Sequence, residues 1–276
     1  MALLKYSIRN SLKLKNKVNL ILKYIFRKLG VGITSYTNLV NLQKLELDTS
    51  RRDLEFIRAF KPTQYEWMIP LLEKSRSQLL QDLFVLSETN MKRDGYFVEF
   101  GATNGIDLSN TYLLETHFGW KGILAEPAKA WHKQLKANRP SASIETFCVW
   151  RDSYSTLTFN ETDCLEVSTI DFFSNGDEHR KSRQSGKKYQ VQSISLRDLL
   201  IQYNAPNFID YLSIDTEGSE YEILKALDFN EYWIGVITVE HNYTIQRELI
   251  FELLTSHGYE RKYEDISKFD DWYVRN

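Results

Sequence analysis

The stretch YFVEFGATNG, at residues 96–105, constrains the fold of this chain more than any other. Its first five residues are aromatic or β-branched apart from one acid, which is the composition of a buried strand. The run stops at Gly101, and a second glycine follows at Gly105. Because glycine carries no Cβ atom, glycines at the carboxyl end of a strand let the backbone turn sharply and approach a ligand closely. We therefore predict a strand, a tight turn and a ligand site over these ten residues.

A second predicted strand, GILA at residues 122–125, ends in Glu126 and Pro127. A strand, a glycine turn, a helix and a second strand closed by an acid form the layout of a nucleoside-binding α/β unit, in which the acid accepts the ribose hydroxyls. The dinucleotide fingerprint G-x-G-x-x-G is absent, because Thr103 and Ile106 stand at two of its glycine positions. The looser pattern E-x-G-x-x-x-G suits a ligand without phosphate, such as S-adenosylmethionine. The competing interpretation is an ordinary strand–helix–strand turn with a solvated Glu126.

Predicted strands and helices alternate along the chain, which indicates a mostly parallel sheet with ligands outside the carboxyl ends of its strands. The predicted fold class is α/β, a doubly wound, Rossmann-like sheet with an antiparallel C-terminal strand pair and an N-terminal helical extension. We expect the extension over residues 1–90 and the ligand-binding domain over residues 91–276. The predicted helices are 54–60, 65–90, 107–119, 128–138, 195–203, 217–227 and 244–257, and the predicted strands are 96–100, 122–125, 144–150, 156–160, 165–170, 191–194, 208–214, 234–239, 259–263 and 271–275.

The composition limits the class of protein. A formal net charge of −2 argues against a dedicated nucleic-acid binder. The two cysteines, Cys148 and Cys164, form neither a disulfide framework nor a metal-binding spacing, which fits a reducing cytoplasm. No apolar run approaches the roughly twenty residues that span a bilayer. Lysines also interrupt the N-terminal apolar stretches too often for a cleavable signal. We therefore expect a cytoplasmic protein.

Residues 1–29 contain eight Lys or Arg and no acid, and their apolar residues recur near helical spacing. This pattern predicts one or two basic amphipathic helices. Such a helix binds an anionic membrane surface or a partner protein. The alternative is packing against its own domain or against a second copy of the chain. Peripheral contact at the inner membrane surface and self-association through residues 1–29 are therefore both expectations.

Several separate stretches resemble the FkbM-type methyltransferases, which use S-adenosylmethionine. They are FVEFGATNG, LSNTYLLE, GWKGILAEP, NRP, YLSIDTEGSEYEIL, ITVEHN and DDWYV, in that order. The resemblance covers residues 96–274, about two-thirds of the chain. Members of the family are generally O-methyltransferases that act on hydroxyls of sugars, glycolipids or polyketides.

The resemblance implies a set of cofactor-binding residues. Glu126 takes the ribose hydroxyls, and Asp215 lies at the mouth of the site after the fourth strand of the unit. The residues implied to hold the methionine part are Glu99, Gly101, Ala102 and Gly105, and we add their neighbours Thr103, Asn104 and Pro127 to the predicted cofactor site.

Transfer to an alcohol requires a base or a metal, because an alcohol is a poor nucleophile at neutral pH. His241 is the predicted general base, since an imidazole titrates near physiological pH, and Glu240 and Asp215 complete the predicted catalytic group. The alternative for His241 is a satisfied histidine at a strand end. Asp215, Glu217, Glu240 and His241 are also candidate ligands for Mg²⁺ or Mn²⁺. Because Glu217 begins a predicted helix and suits its N-terminus, the predicted metal set is Asp215, Glu240 and His241.

The acceptor is predicted to contact Asn104, Glu217 and a basic loop that contains Arg180 and Lys181. This loop would bind the phosphates of a nucleotide-sugar or a phosphorylated lipid, although charge runs of this kind are often solvated faces. The predicted function is S-adenosylmethionine-dependent O-methylation of a sugar hydroxyl in a nucleotide-sugar, a surface glycan or a glycolipid. Methylation of a polyketide or other small natural product is the first alternative. A nucleoside-binding scaffold or trafficking partner without catalysis is the second.

Overall fold

The computed structural model describes residues 36–276, with side chains from residue 43 onward. The chain divides into two compact units, Met1–Leu54 and Glu55–Asn276. The division falls inside the first described helix, α1 (Tyr36–Ala59). The amphipathic helix predicted at residues 1–29, with its membrane or self-association role, lies outside the described residues. The predicted domain boundary at residue 90 stays a prediction.

The second unit contains eight further α-helices and eleven strands among its described residues. The helices are α2 (Tyr65–Leu72), α3 (Gln81–Glu88), α4 (Tyr112–Phe118), α5 (His132–Asn138), α6 (Leu196–Gln202), α7 (Glu220–Lys225), α8 (Gln246–Ser256) and α9 (Glu264–Ser267). The strands are β1 (Tyr96–Phe100), β2 (Lys121–Ala125), β3 (Ser143–Glu145), β4 (Cys148–Trp150), β5 (Thr156–Glu161), β6 (Thr169–Ile170), β7 (Lys187–Ser195), β8 (Phe208–Ile214), β9 (Trp233–Glu240), β10 (Tyr259–Lys262) and β11 (Asp270–Arg275).

Seven strands form the main sheet, in the order β10-β11-β9-β8-β1-β2-β3. Strand β1 lies inside the sheet and pairs in parallel with both β2 and β8. Strand β11 pairs antiparallel with both β9 and β10. These pairings confirm the predicted doubly wound class with an antiparallel C-terminal strand pair. The strand order reverses between β1 and β8, and open α/β sheets bind their ligands at such a switch point.

The helices cover both faces of this sheet because the side chains of β1 alternate between them. Phe97 packs into the cluster that buries α3 and α4, together with Leu83 and Leu113. Val98, one residue on, packs into the opposite cluster, which buries α6, α7 and α8. Each strand near the centre of the sheet is therefore buried on both sides, which explains its continuous apolar composition.

A smaller sheet of four strands, in the order β4-β7-β5-β6, lies outside the main one. The single strand predicted at residues 144–150 is wrong, because the chain divides it between β3 in the main sheet and β4 in the small one. The side chain of Glu145 accepts hydrogen bonds from the backbone amides of Thr146 and Phe147, at 2.6 and 2.8 Å, and so turns the chain between the two strands.

The single helix predicted at residues 65–90 is also wrong, because the chain forms α2, an irregular segment and α3. Pro70 lies inside α2 and lacks the amide hydrogen that a continuing helix needs. Leu80, just before α3, has a φ of 64°. The side chain of Gln81 accepts a hydrogen bond from Leu79 and donates one to Asp270 on β11, at 2.8 Å each. Contacts with a distant strand therefore stabilise the interruption between α2 and α3.

None of the helices among residues 36–276 has the length and the apolar character needed to cross a bilayer.

Candidate active site

A cavity of about 260 Å³ opens at the carboxyl ends of β1, β2, β8 and β9. It lies at the switch point of the main sheet, and its volume is close to the lower end of the ~300–1,000 Å³ typical of ligand sites. Its floor comes from the strand ends, and one wall is apolar, with Cys148, Val149 and Phe159. The segment between β5 and β7 covers it and contributes Glu178 and His179. We call residues 163–186 the roof segment.

The glycine turn after β1 forms part of the cavity wall. Gly101 has a φ of +74°, and a Cβ atom added to it would overlap the carbonyl oxygen of Asp215. The amides of Gly101 and Ala102 both donate to the carbonyl oxygen of Ala125, at 3.1 and 3.3 Å. The turn is therefore fixed between the ends of β2 and β8. The close approach at Gly101 is to the backbone of Asp215, and the predicted approach to a ligand stays a prediction.

Glu126 faces this turn from the end of β2. One carboxylate oxygen accepts a hydrogen bond from the Thr103 amide at 2.8 Å, and the other accepts one from the Ala128 amide at 2.7 Å. The side chain is buried and lines the cavity. Burial raises its pKa to about 7, although the two amide donors lower it. Glu126 is therefore directed into the cavity rather than solvated, with lone pairs left to accept further hydrogen bonds.

Glu99, on β1, binds the loop at residues 109–111 that precedes α4. Its carboxylate accepts hydrogen bonds from the Ser109 hydroxyl, the Asn110 amide and the Thr111 hydroxyl. Burial raises the pKa of Glu99, and the Arg139 guanidinium lowers it. Because these bonds hold residues 109–111 in a loop, α4 begins at Tyr112, and the helix start predicted at residue 107 is wrong.

Asn110 is a cavity residue that the sequence analysis did not select. Its side-chain amide donates to the Ser213 hydroxyl at 2.9 Å. Its carbonyl oxygen Oδ1 is buried and has no hydrogen-bond partner among the described residues. The residue lines the cavity beside Glu99 and therefore presents an acceptor to a ligand. The stretch LSNTYLLE, which contains Asn110 and contributes to the family resemblance, is the sequence feature that could have identified it.

Arg139 supports the glycine turn from behind and was also missed. Its side chain is fully buried and donates to Glu115 at 2.7 Å, to the carbonyl oxygen of Gly105 at 3.0 Å and to two hydroxyl groups of the loop that Glu99 holds. Gly105 has a φ of +82°, and a Cβ atom there would lie 2.6 Å from Arg139 Cγ. Gly105 is therefore needed because Arg139 packs directly against it, and it does not line the cavity. The stretch NRP, which contains Arg139 and contributes to the family resemblance, is the sequence feature that could have identified this residue.

Three acids meet on the other side of the cavity: Asp215 after β8, Glu217 beyond it, and Glu240 at the end of β9. One carboxylate oxygen from each lies within 4.8 Å of the other two. Burial and the charge of Glu220 raise the pKa of Asp215 to about 7. Burial and the charge of Asp215 raise the pKa of Glu217 to about 9 and that of Glu240 well above its ordinary value. The cluster thus favours protons or another cation.

Glu217 is held by a buried arginine from the roof segment. Arg183 donates to Glu217 at 2.7 Å, to both oxygens of Asp177 at 2.8 Å and to the Val167 carbonyl oxygen at 2.8 Å. Its side chain has no exposed surface. The basic run at residues 179–188 is therefore divided between Arg183, which is buried and structural, and exposed cations.

The structure brings most of the predicted residues together and leaves others outside. The predicted residues that line the cavity are Glu99, Gly101, Thr103, Glu126, Pro127, Asp215, Glu217 and Glu240. Ala102 packs in the core, and Asn104 uses its side chain to accept from the amides of Ile106 and Asp107. Arg180 and Lys181 are exposed and do not line the cavity. Their predicted contacts with substrate stay predictions.

His241 lies at the strand end but faces away from the cavity wall. Its Nδ1 accepts a hydrogen bond from the Tyr243 amide at 3.0 Å, and its Nε2 lies 3.7 Å from a carboxylate oxygen of Asp271. Arg247 pairs with the same Asp271 at 2.8 Å. Burial lowers the pKa of His241. The structure thus groups Asp215 and Glu240 with Glu217, and places the imidazole with Asp271 instead.

The sequence of this chain matches the profile of a family described as "Methyltransferase FkbM domain" over residues 99–261, more than half of the chain. A comparison with curated proteins finds no match. Among solved structures, the precorrin-6y C5,15-methyltransferase of Geobacter metallireducens has a TM-score of 0.38 at 12% sequence identity, over 70% of this chain and 85% of that one. A TehB-like SAM-dependent methyltransferase of Corynebacterium glutamicum has a TM-score of 0.33 at 10% identity, over 77% of this chain and 95% of that one.

Proposed function

The chain belongs to the FkbM methyltransferase family, and we propose that it transfers the methyl group of S-adenosylmethionine to a hydroxyl group of a sugar. The sugar is proposed to be part of a nucleotide-sugar, a surface glycan or a glycolipid. One observation carries the proposal: Glu126 and the acids Asp215 and Glu240 line the same cavity at the switch point of the sheet. A position for the cofactor and a group that accepts a proton are thus provided together.

The residues present fit this cofactor. A buried carboxylate, Glu126, is placed to accept the two ribose hydroxyls, as in other nucleoside-binding α/β units. The unpartnered Oδ1 of Asn110 suits the methionine part, whose ammonium group needs acceptors, and Gly101 lines the same cavity. The apolar wall at Cys148, Val149 and Phe159 suits the adenine ring. When bound, the cofactor supplies an electrophilic methyl carbon on a positively charged sulfur.

Asp215 is the proposed proton acceptor, and Glu240 completes the proposed catalytic group beside it. A general base works best when its pKa lies near the working pH, and burial raises the pKa of Asp215 to about 7. The carboxylate would hold the acceptor hydroxyl and take its proton as the methyl group moves, while the roof segment limits the access of water. The same oxygen atoms are of the type that binds Mg²⁺ or Mn²⁺, so the cation predicted from the sequence belongs to this proposal too.

A hydroxylated acceptor suits the groups on the roof side of the cavity. Glu166, Ser168, Glu178 and His179 all line it and offer hydrogen-bond donors or acceptors. A sugar could exchange hydrogen bonds with these groups through its hydroxyls, whereas a largely apolar natural product offers few such groups. This polarity supports a sugar over a polyketide. A contact of Arg180 and Lys181 with substrate phosphates belongs to the nucleotide-sugar form of the proposal.

A transfer assay tests the function directly. The full chain is incubated with labelled S-adenosylmethionine and a panel of nucleotide-sugars, glycans, glycolipids and small apolar alcohols. We expect label on a sugar hydroxyl, and we expect calorimetry to show binding of S-adenosylmethionine but not of NAD(H). Label on the apolar alcohols alone would replace the sugar with a natural product. Binding of the methyl donor without transfer to any acceptor would favour a scaffold, and binding of NAD(H) alone would reject methyl transfer.

A further inference from the structure

We propose that Asp215, Glu217 and Glu240 form a binding site for one divalent cation, Mg²⁺ or Mn²⁺, in the wall of the cavity. One carboxylate oxygen from each of the three lies within 4.8 Å of the other two, so a single ion can contact all of them. A set made of oxygen atoms alone, without histidine or cysteine, favours these hard cations over zinc or copper. The role of the cation in catalysis rests on the proposed function, whereas its binding does not.

The charges in this part of the cavity leave room for a divalent cation. When all three carboxylates are ionised they carry three negative charges, and among the described residues the ion pairs of the cluster involve one cation, Arg183. Asp177 shares that guanidinium at 2.8 Å. At least two negative charges are therefore not balanced by side chains of the described part of the chain. Buried charges of this kind are stable when they are protonated, paired or bound to a metal.

Glu240 supplies a second observation that points to a ligand. The residue is 8% exposed and lines the cavity. Its Oε2 is buried and has no hydrogen-bond partner among the described residues. Its neighbour in the cluster, Asp215, is an acid as well, and an ionised carboxylate donates no hydrogen bond to this oxygen. A buried polar atom without a partner costs free energy, and a cation in the cavity would remove that cost.

Glu217 is positioned for the same ligand. Its φ of +60° is unusual for a residue with a side chain and persists where the surroundings impose it. Arg183 and Asn242 both donate to its Oε2, at 2.7 and 3.3 Å. The Thr169 hydroxyl donates to its backbone carbonyl at 2.8 Å. These bonds fix the orientation of the side chain and leave Oε1 without a protein donor among the described residues.

In the proposed reaction the cation would bind the acceptor hydroxyl. A divalent ion lowers the pKa of a bound hydroxyl and fixes its orientation. It would therefore take over part of the activation that Asp215 otherwise provides as a base. The roof segment contributes to this arrangement through Arg183, which links Asp177 on the roof to Glu217 in the cluster.

Titration with Mn²⁺, followed by the loss of the electron paramagnetic resonance signal of the free ion, tests the site on the full chain after treatment with EDTA. We expect one ion per chain, displaced by Mg²⁺. Asp215→Asn and Glu240→Gln keep the shape of each side chain and should weaken Mn²⁺ binding by at least about tenfold. Glu222→Gln, an acid on α7 outside the cluster, is the matched control and should bind as the wild type does. Circular dichroism checks that each variant folds, and Glu217→Gln serves if either of the first two does not.

Two outcomes would overturn the site: no stoichiometric Mn²⁺ binding by the wild type, or the same affinity in the folded Asp215→Asn and Glu240→Gln variants. Calorimetry with S-adenosylmethionine on the same EDTA-treated protein separates this proposal from the proposed function. Binding of the methyl donor without binding of Mn²⁺ would reject the metal site alone. Binding of Mn²⁺ without binding of the methyl donor would reject methyl transfer and leave the metal site in place.

Discussion

The backbone amide of Thr103 donates a hydrogen bond of 2.8 Å to Oε2 of Glu126. This bond joins the glycine turn after β1 to the acid that closes β2. The Ala128 amide binds the other carboxylate oxygen at 2.7 Å. Because backbone groups hold both oxygens, the orientation of Glu126 is set before a ligand arrives, and little ordering is left to weaken binding.

Glu126→Ala should weaken the binding of S-adenosylmethionine by roughly 1.5–3 kcal/mol, the typical value of a hydrogen bond to a charged group. The loss follows from the missing acceptor for the ribose hydroxyls. Calorimetry measures the two dissociation constants. Glu66→Ala, an exposed acid on α2, is the control and should bind as the wild type does. Unchanged affinity in Glu126→Ala would remove Glu126 from the cofactor site.

The affinity for S-adenosylmethionine should fall as the pH falls below 7. Burial raises the pKa of Glu126 to about 7, so the free protein carries a proton there at lower pH. The ionised carboxylate is the stronger acceptor of hydroxyl hydrogens, and the proton must leave before binding. The affinity should therefore be constant well above pH 7 and decrease by up to about tenfold per unit below it.

Calorimetry at a series of pH values, in two buffers with different heats of ionisation, measures both the affinity and the proton released. Other acids in the cavity titrate in the same range, so the quantity of interest is the difference between the wild type and Glu126→Gln. That variant lacks the titrating group and should show the smaller dependence. Identical pH profiles for the two proteins would contradict the prediction.

Gly101→Ala should destabilise the protein more than Gly258→Ala does. Both glycines have a positive φ, +74° and +85°, so alanine is strained at both positions by about 1–2 kcal/mol. At Gly258 no atom lies within 4 Å of the added Cβ, whereas at Gly101 the added Cβ would overlap the Asp215 carbonyl oxygen. Unfolding in urea should give a larger loss for Gly101→Ala, together with weaker binding of S-adenosylmethionine. Equal losses would show that the turn can relax.

Arg139→Met should lower the free energy of unfolding by about 3–5 kcal/mol, because it leaves Glu115 without its buried cationic partner. It also removes the donors that bind Gly105 and the loop at residues 109–111. Lys133→Ala, an exposed residue on α5, is the control and should change the free energy by less than about 0.5 kcal/mol. A loss for Arg139→Met no larger than that of the control would contradict the role of Arg139.

The strands of the main sheet could be predicted because their signal is local. Continuous apolar runs such as Phe208–Ile214 are buried on both faces, and β1, β2, β8 and β9 lie where the sequence placed them. The N-terminus of α6 could be predicted in the same way, because the Ser195 hydroxyl accepts a hydrogen bond of 3.1 Å from the amide of Asp198, three positions later in the sequence. Apolar strand runs and helix caps of this kind can be recognised from a few consecutive residues.

The errors arose where distant residues decide the local structure. The start of α4 moves to Tyr112 because Glu99, more than ten residues earlier, binds the intervening loop. Arg183 looked like part of a solvated charge run, yet it pairs with Glu217, 34 positions away. Arg139 likewise gains its role from partners on β1, α4 and their connecting loop. Sequence spacing alone does not contain such contacts.

The predicted catalytic group also shows what sequence spacing alone cannot decide, here between two adjacent residues. The sequence places Glu240 and His241 at the same strand end, and it does not say which one faces the ligand. In the structure Glu240 lines the cavity, whereas His241 packs beside Asp271 on the neighbouring strand. Successive side chains of an extended chain point in opposite directions, so these two neighbours face different surroundings.

Asp215→Asn and His241→Asn separate the two candidate bases. In the Asn variant of His241, the side-chain oxygen can replace Nδ1 as the acceptor of the Tyr243 amide, so the turn after β9 should persist. With an acceptor identified by the transfer screen, we expect Asp215→Asn to lose at least about a hundredfold in turnover, the range of general base catalysis. His241→Asn should stay within about tenfold of the wild type. Because neither variant removes Glu126, both should bind S-adenosylmethionine, which calorimetry checks. The reverse ranking would restore the imidazole as the base, and it would require His241 to leave Asp271 and turn toward the cavity when the acceptor binds.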